Sequence, residues 1–518
     1  MGEQPRTGRV GRAWTRRGVV RAAALVGVGA AATGAAGYRG YRRLAESAAA
    51  AKPPAAGHQV MRFVSRPDLR PPAVTVTRDE RHFTGAAGER LIFMAPKNYR
   101  TRNGPGQRGL MVLDTSGRLV WFRRTGATPM NFQRQTYRGR PVLTWWEGDV
   151  PDGYGKGHGV IADTAYRRIA TVRAGHGLEA DLHEFRLTGR GTALITAYRT
   201  AAADLSSIGG PADGTVYSGV VQEIDVESGA VVFAWDSLDH VDVTESHRER
   251  PDDRGTSAHP YDYFHINAIC EHPDGDLLVS ARNTWAIYKL SRKDGRIVWR
   301  LGGQRSDFTH DQRTRFYWQH DVVAHDDGRI SVFDNGAWPQ IEKESRGLML
   351  RADTETRKVS LVRAYTHPDE VLAGTQGSCR TVDGDRVFVG WGDRPNFSEF
   401  TANGRLILDG RFPDNVQSYR AFTGSWTGRP SGRPAVAARR DGNRTRVFAS
   451  WNGSTEVRQW RVLAGATKKR LRAVTVAART DFETAVTVAD GGPYFAVEAL
   501  DARGAPLARS ETVTVAGS

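Results

Sequence analysis

Side chains able to do chemistry recur in this sequence at one fixed offset. Asn131, His183, Asn267, His320 and Gln376 each stand eight residues before a glycine, namely Gly139, Gly191, Gly275, Gly328 and Gly384. None is apolar and none carries a formal negative charge. His265 precedes Asn267 by two residues, and strand residues at i and i+2 share a face. The spacing therefore predicts an imidazole and an amide side by side. On the returning strands, Arg282 aligns to within a residue with Tyr198, Asn335 and Trp391. A surface of His, Asn, Gln and Arg, without Asp or Glu, suits an anion, because imidazole, amide and guanidinium groups donate hydrogen bonds to oxyanions. Ca²⁺ and Mg²⁺ want oxygen ligands that this set lacks. Imidazoles can hold Zn²⁺ or Cu²⁺, but these histidines lie on separate repeats. No metal and no other cofactor is expected.

Positioning such residues takes a repeated scaffold. Short apolar runs bounded by Asp-Gly, Ser-Gly or Asn-Gly recur from about residue 90 to 412, and Gly is abundant at 57 residues. Each copy pairs a strand, a tight turn and a Leu-Leu-Val-like strand, then a second strand pair that often ends in Trp. Leu277-Leu278-Val279-Ser280-Ala281 and Ile297-Val298-Trp299 are representative. Copies of four short strands are marginal alone, and packing them in a closed ring buries both faces of each. The chain is thus expected to be all-β, a six-bladed β-propeller over residues 59–425 with a small C-terminal β-sandwich-like domain over 440–518. In the propeller the aligned polar positions converge on a central channel. Cys270 and Cys379 fall on blades that are not neighbours, so no disulfide is expected between them.

The formal charge of +16 does not read as a nucleic-acid surface, since about half of the excess lies before residue 58 and the rest is interspersed with acids. Residues 1–58 read as a leader and linker. Arg16-Arg17 precedes a mild Ala/Gly/Val stretch, as in a twin-arginine export signal; an uncleaved membrane anchor is the alternative. Either way the bulk of the chain is expected outside the cytoplasm, exported, secreted or held at the cell envelope.

Five motifs carry a family resemblance. Phe264-His265-Ile266-Asn267, Ser280-Ala281-Arg282-Asn283, Ile297-Val298-Trp299-Arg300-Leu301-Gly302-Gly303, Trp318-Gln319-His320-Asp321 and Phe333-Asp334-Asn335-Gly336 occur in this order. In this they resemble the bacterial arylsulfotransferase (arylsulfate sulfotransferase) family, and more narrowly its actinobacterial and fungal branch. The resemblance implies an exported six-bladed propeller that moves a sulfuryl group from a phenolic sulfate ester to a phenol without a nucleotide donor, through a transiently sulfated histidine. By motif, His265 and His320 match two sulfate-contacting histidines. The family's arginine after Phe-Asp-Asn-Gly has its nearest match in Arg346. The family's sulfated histidine lies in the last part of the propeller, where this chain offers Gln376. The only late histidine is His367.

The catalytic candidates are therefore His320, His265 and His367. The substrate-binding candidates are Asn267, Arg282, Asn335, Gln376, His183, Asn131 and Arg346. The expected partners are a small aryl sulfate donor and a phenolic acceptor. A neutral imidazole is a usable nucleophile, and a second one can protonate the leaving phenolate and later deprotonate the acceptor. Two other readings stay open. One is a non-catalytic extracytoplasmic binding module that has lost the nucleophile. The other is a lyase or hydrolase acting on another anionic ester.

Overall fold

The computed structural model describes residues 59–83, 90–98, 104–151, 153–250, 254–489 and 491–516. The proposed leader lies outside them. The described residues form β-strands and a few single 3₁₀ turns, with no α-helix among them. No helix of the described residues is long and apolar enough to cross a membrane.

Between residues 91 and 424 most strands fall into antiparallel units of four, two of which, over residues 128–172 and 180–236, are joined in one eight-stranded sheet. The repeat containing Asn267 shows why. Ile266–Glu271, Leu277–Ala281, Ala286–Leu290 and Ile297–Gly302 pair in sequence order. The first two are joined through Pro273-Asp274-Gly275, where the turn needs the positive φ of Gly275 (94°). All five residues of Leu277–Ala281 are buried. Leu277, Val279 and Ala281 pack with Leu194, Val221 and Trp235 of the preceding unit. Leu278 faces the other way, onto Val322, Ile330 and Leu348 of the following one. The period-two alternation thus serves two neighbours, and a sheet with both faces covered needs the continuous apolar run seen here.

The innermost strands close into a circle. Thr128–Tyr137 packs against Ala180–Leu187, which packs against Ile266–Glu271, then His320–Ala324, then Ser378–Val382, then Ala421–Gly424, which returns to Thr128–Tyr137. Closure is non-local. Ala421–Gly424, from after the last repeat, pairs with Leu91–Met94 and supplies the inner strand of the first unit. At the other edge, Thr75–Arg78 adds to Leu406–Arg411. The architecture is all-β and propeller-like.

Four inner strands carry β-bulges where the aligned polar residues sit: between Met130 and Gln133, Ala180 and Phe185, Ile266 and Ala268, and His320 and Val323. Asn131, His265, Asp321 and Gln376 have positive φ. Bulges re-aim side chains and break the two-residue period. The expectation that His265 and Asn267 lie side by side fails for this reason. His265 precedes the strand, and Asn267 turns into the neighbouring one.

Residues 435–514 form two further sheets, of three and five strands, around one apolar cluster that includes Val447, Trp460, Val462, Phe495 and Val497. They are tied to the first two units. The Asn452 amide bonds the N–H and C=O of Phe122, both at 2.9 Å, and the Tyr166 hydroxyl donates to the Gly453 carbonyl at 2.7 Å. Cys270 and Cys379 are buried and unpaired.

Candidate active site

Three imidazoles gather inside the circle of inner strands. The His183 and His265 rings meet edge to face with centroids 4.9 Å apart. Tyr419 stands against both His183, at 5.8 Å, and His320, at 6.4 Å. Tyr198 lies 6.2 Å from His183 and 6.3 Å from His265.

Each histidine is oriented through Nδ1. His183 Nδ1 lies 2.6 Å from Asp181 Oδ2, and His265 Nδ1 lies 2.5 Å from Asp262 Oδ2. A carboxylate at Nδ1 fixes the proton there and leaves the Nε2 lone pair free. No protein group among the described residues bonds Nε2 of either ring. His320 differs. Its Nδ1 donates to Asn335 Oδ1 at 2.7 Å, and its Nε2 accepts the Gln376 N–H at 3.2 Å. Both nitrogens of His320 are occupied. Burial, then the charge of Arg282, holds its pKa well below the usual imidazole value, so it is a neutral ring. Burial also lowers His265, opposed by Asp262.

Two guanidinium groups stand beside this cluster. Arg282 stacks over Trp318 at 4.7 Å and donates to the Gly374 carbonyl at 3.2 Å. Its Nε is buried without a partner. Burial, then the neighbouring Arg248, pushes its pKa down to about 10, still cationic at neutral pH. Arg248 reaches in from the long connection after Asp236, and its Nη1 lies 3.7 Å from Asp262 Oδ2.

The amide candidates do a different job. Asn131 Nδ2 donates to the carbonyls of Leu182 and His183 at 2.8 and 3.2 Å. Asn267 Nδ2 donates to Gln319 O at 2.6 Å, and Asn335 Nδ2 to the carbonyls of Ala373 and Gln376, both at 3.0 Å. Gln376 Nε2 bonds Gln417 Oε1 at 2.9 Å. These amides bracket neighbouring strands, while the histidines form the cluster. Arg346 is also committed elsewhere. It pairs with the buried Asp334 at 2.5 Å and with Glu342 at 3.2 Å. His367 bonds Asp409 Oδ1 at 3.1 Å and packs on Trp391; it shares no contact with the three clustered rings.

The expected carboxylate-free lining is overturned. Asp181, Glu184 and Asp321 lie within two residues of His183 or His320, and Asp262 lies three before His265. Each is compensated, Asp181 and Asp262 by an imidazole, Glu184 by Arg420, and Asp321 by Arg380 and Arg420. Arg420 is fully buried, bonds both Glu184 oxygens at 3.1 and 3.0 Å, and lies 3.2 Å from Asp321 Oδ1. Among the described residues no group of three or more His, Cys, Asp or Glu could hold a metal ion.

The family described as Arylsulfotransferase (ASST) matches residues 133–413. The chain belongs to the arylsulfotransferase family. The matched stretch contains all three clustered histidines, Arg248 and Arg282. Asn131, Tyr419 and Arg420 fall just outside it. No curated protein matches the chain. Solved structures similar to it include a protein of unknown function from Bacteroides caccae, at 11% identity and TM-score 0.38, covering 65% of this chain and 99% of that one. A Lactobacillus plantarum protein reaches 15% identity and TM-score 0.35, covering 77% and 99%. A virginiamycin B lyase from Staphylococcus aureus reaches 8% and 0.29, covering 78% and 95%. Likenesses this distant carry no argument about this arylsulfotransferase-family chain.

Tyr419, Arg420 and Arg248 were not foreseen from the sequence. A signal existed for the first two. The repeat that begins at Leu91 is without an aligned polar residue, and the strand that takes that place, Ala421–Gly424, comes from beyond the last repeat.

Proposed function

We propose that the chain is a nucleotide-independent aryl sulfotransferase. It moves a sulfuryl group from a phenolic sulfate ester to a phenol through His265, in the channel of a six-bladed propeller spanning residues 59–425. Residues 440–518 form a β-sandwich-like accessory domain, and residues 1–58 direct the chain out of the cytoplasm. The observation that carries the reading is the pair of carboxylate-held imidazoles 4.9 Å apart beside Arg282.

In the first half-reaction the Nε2 lone pair of His265 attacks sulfur. The S–N bond forms and the S–O(aryl) bond breaks. His183, as an imidazolium supported by Asp181, gives its Nε2 proton to the leaving phenolate. In the second half, neutral His183 takes the proton of the acceptor phenol, the phenol oxygen attacks sulfur, and the S–N bond breaks. Charge that builds on the sulfuryl oxygens is met by Arg282 and Arg248. His320 is a positioning residue, linking Asn335 to the Gln376 backbone.

The test is purified protein with 4-nitrophenyl sulfate and a phenol. Acceptor-dependent release of nitrophenol, with a sulfated peptide containing His265 by mass spectrometry, supports the reading. Gln376, standing where the family's sulfated histidine lies, favours a second reading as a non-catalytic extracytoplasmic binding module. Absence of any sulfuryl transfer would select it.

A further inference from the structure

Each of the five inner strands aligned on a turn glycine runs from its polar residue toward that turn, so a residue three positions on lies roughly 10 Å further along the channel. At that turn end is a cavity of about 340 Å³ lined by Gln133, Arg134, Arg138, Arg186, Thr188 and Arg380 among others. Arg186 and Arg380 belong to strands on opposite sides of the circle, Ala180–Leu187 and Ser378–Val382. A cavity that both line sits on the axis. It is separated from the histidines by the cross-braces that Arg420 makes to Glu184 and Asp321.

The chemistry of this cavity is one-sided. It has four arginines and no carboxylate among its lining residues. Two of the four have partners: Arg138 pairs with Glu227 at the surface, and Arg380 holds Asp321. The Arg186 guanidinium has no hydrogen bond, and its Nη2 is fully buried. The Gln133 side-chain nitrogen is likewise buried and unpaired. A buried guanidinium donor without an acceptor costs more than an unmade neutral bond. Both residues line this one cavity, and their unpaired donors beside it point to a ligand that accepts.

We propose that the turn-end cavity is a second anion site, separate from the histidine cluster, which binds one small tetrahedral oxyanion, sulfate or phosphate, between Arg186 and Gln133. The Arg186 guanidinium presents paired N–H groups suited to two oxygens of such an ion, and Arg134 and Arg380 add charge around it.

Isothermal titration of the full-length protein with sodium sulfate, and separately with sodium phosphate, against sodium chloride at matched ionic strength, tests this. The two oxyanion arms tell the sources apart. The unsubstituted protein should bind sulfate or phosphate at this site without competition from chloride. Arg186→Gln should weaken that event at least about tenfold, the scale of one charge-assisted hydrogen bond. Gln133→Leu, similar in volume, should weaken it by a smaller factor and is the cross-check if Arg186→Gln fails to fold. Arg282→Gln, at the other end of the channel, should leave it in place. Unchanged binding in both turn-end variants, loss of all oxyanion binding in Arg282→Gln, or no oxyanion binding by the unsubstituted protein would each overturn the assignment. The outcome is independent of whether sulfuryl transfer occurs.

Discussion

His183 and His265 stand edge to face, 4.9 Å between ring centroids, each with its Nδ1 against its own aspartate. His183 lies on one inner strand and His265 just before the next, so the pair exists only once neighbouring units are assembled. Two Asp–His dyads with both Nε2 atoms unpaired can divide nucleophilic and acid–base work between them.

That division predicts different consequences for the two rings. His265→Ala should abolish aryl sulfate exchange. His183→Ala should cut turnover with a poor leaving group, such as an unsubstituted phenolate, by about 100- to 10,000-fold, the usual worth of general acid–base catalysis. With 4-nitrophenolate, which leaves without a proton, the first half-reaction should suffer far less. Equal losses for both leaving groups in His183→Ala would remove its acid role. Asp262→Asn should lower kcat while leaving the fold intact, because the tautomer of His265 is no longer fixed.

The sequence made the repeats and the histidines legible. Alternation in Leu277–Ala281 marks a strand with both faces covered, and the eight-residue offset finds His183 and His320. It misled at the bulges. Asn131 and His265 have positive φ, and a single bulged residue cancels the rule that i and i+2 share a face. No local pattern announces a bulge at a polar residue. Nothing in the spacing marks the acids that flank His183, yet Asp181 is what orients it. Arg346 matched a motif by order, yet its ion pair with the buried Asp334 holds it in the sheet. Arg248 arrives on an irregular connection, where periodicity carries no information.

The titration of the imidazoles predicts an acid-sensitive protein. Burial lowers the pKa of His320 and of His265 below the ordinary imidazole value. The unfolded chain therefore binds more protons than the folded one once pH falls through about 6.5. Stability from these two groups is complete above that value and declines below it, until the folded-state pKa values are reached. Urea midpoints should fall between about pH 7 and pH 5, and His320→Gln should flatten that fall. A slope unchanged in His320→Gln would contradict the assignment.

Arg248 and Arg346 separate a substrate-facing guanidinium from a structural one. Among the described residues the Arg248 guanidinium makes one ion pair, to Asp262 at 3.7 Å. Arg248→Ala should lower kcat/KM by about ten- to a hundredfold through loss of a charge-assisted contact, with little change in Tm. Arg346→Ala leaves the buried Asp334 without its cation and should instead lower the unfolding free energy by about 3–5 kcal/mol. Paired thermal melts and kinetics on the two variants check both statements. A Tm loss in Arg248→Ala matching that in Arg346→Ala would refute the distinction.

Arg420 is the fixed point between the two halves of the channel. It is fully buried, and it meets two carboxylates from different inner strands and the Asn267 carbonyl at 2.9 Å. It also belongs to the segment whose strand closes the circle. Arg420→Met keeps most of the volume but strands Glu184 as an uncompensated buried acid and leaves Asp321 to Arg380 alone. The expected cost is about 3–5 kcal/mol, with Glu184 forced toward its protonated form. The variant should therefore lose less stability relative to the parent at acid pH than at neutral pH, the reverse of the His320 trend. Adding Glu184→Gln should restore part of the loss, since it removes the stranded charge. Denaturant titrations of the single and double variants at both pH values measure this. A double variant less stable than Arg420→Met alone would show that Arg420 is not the counter-charge of Glu184.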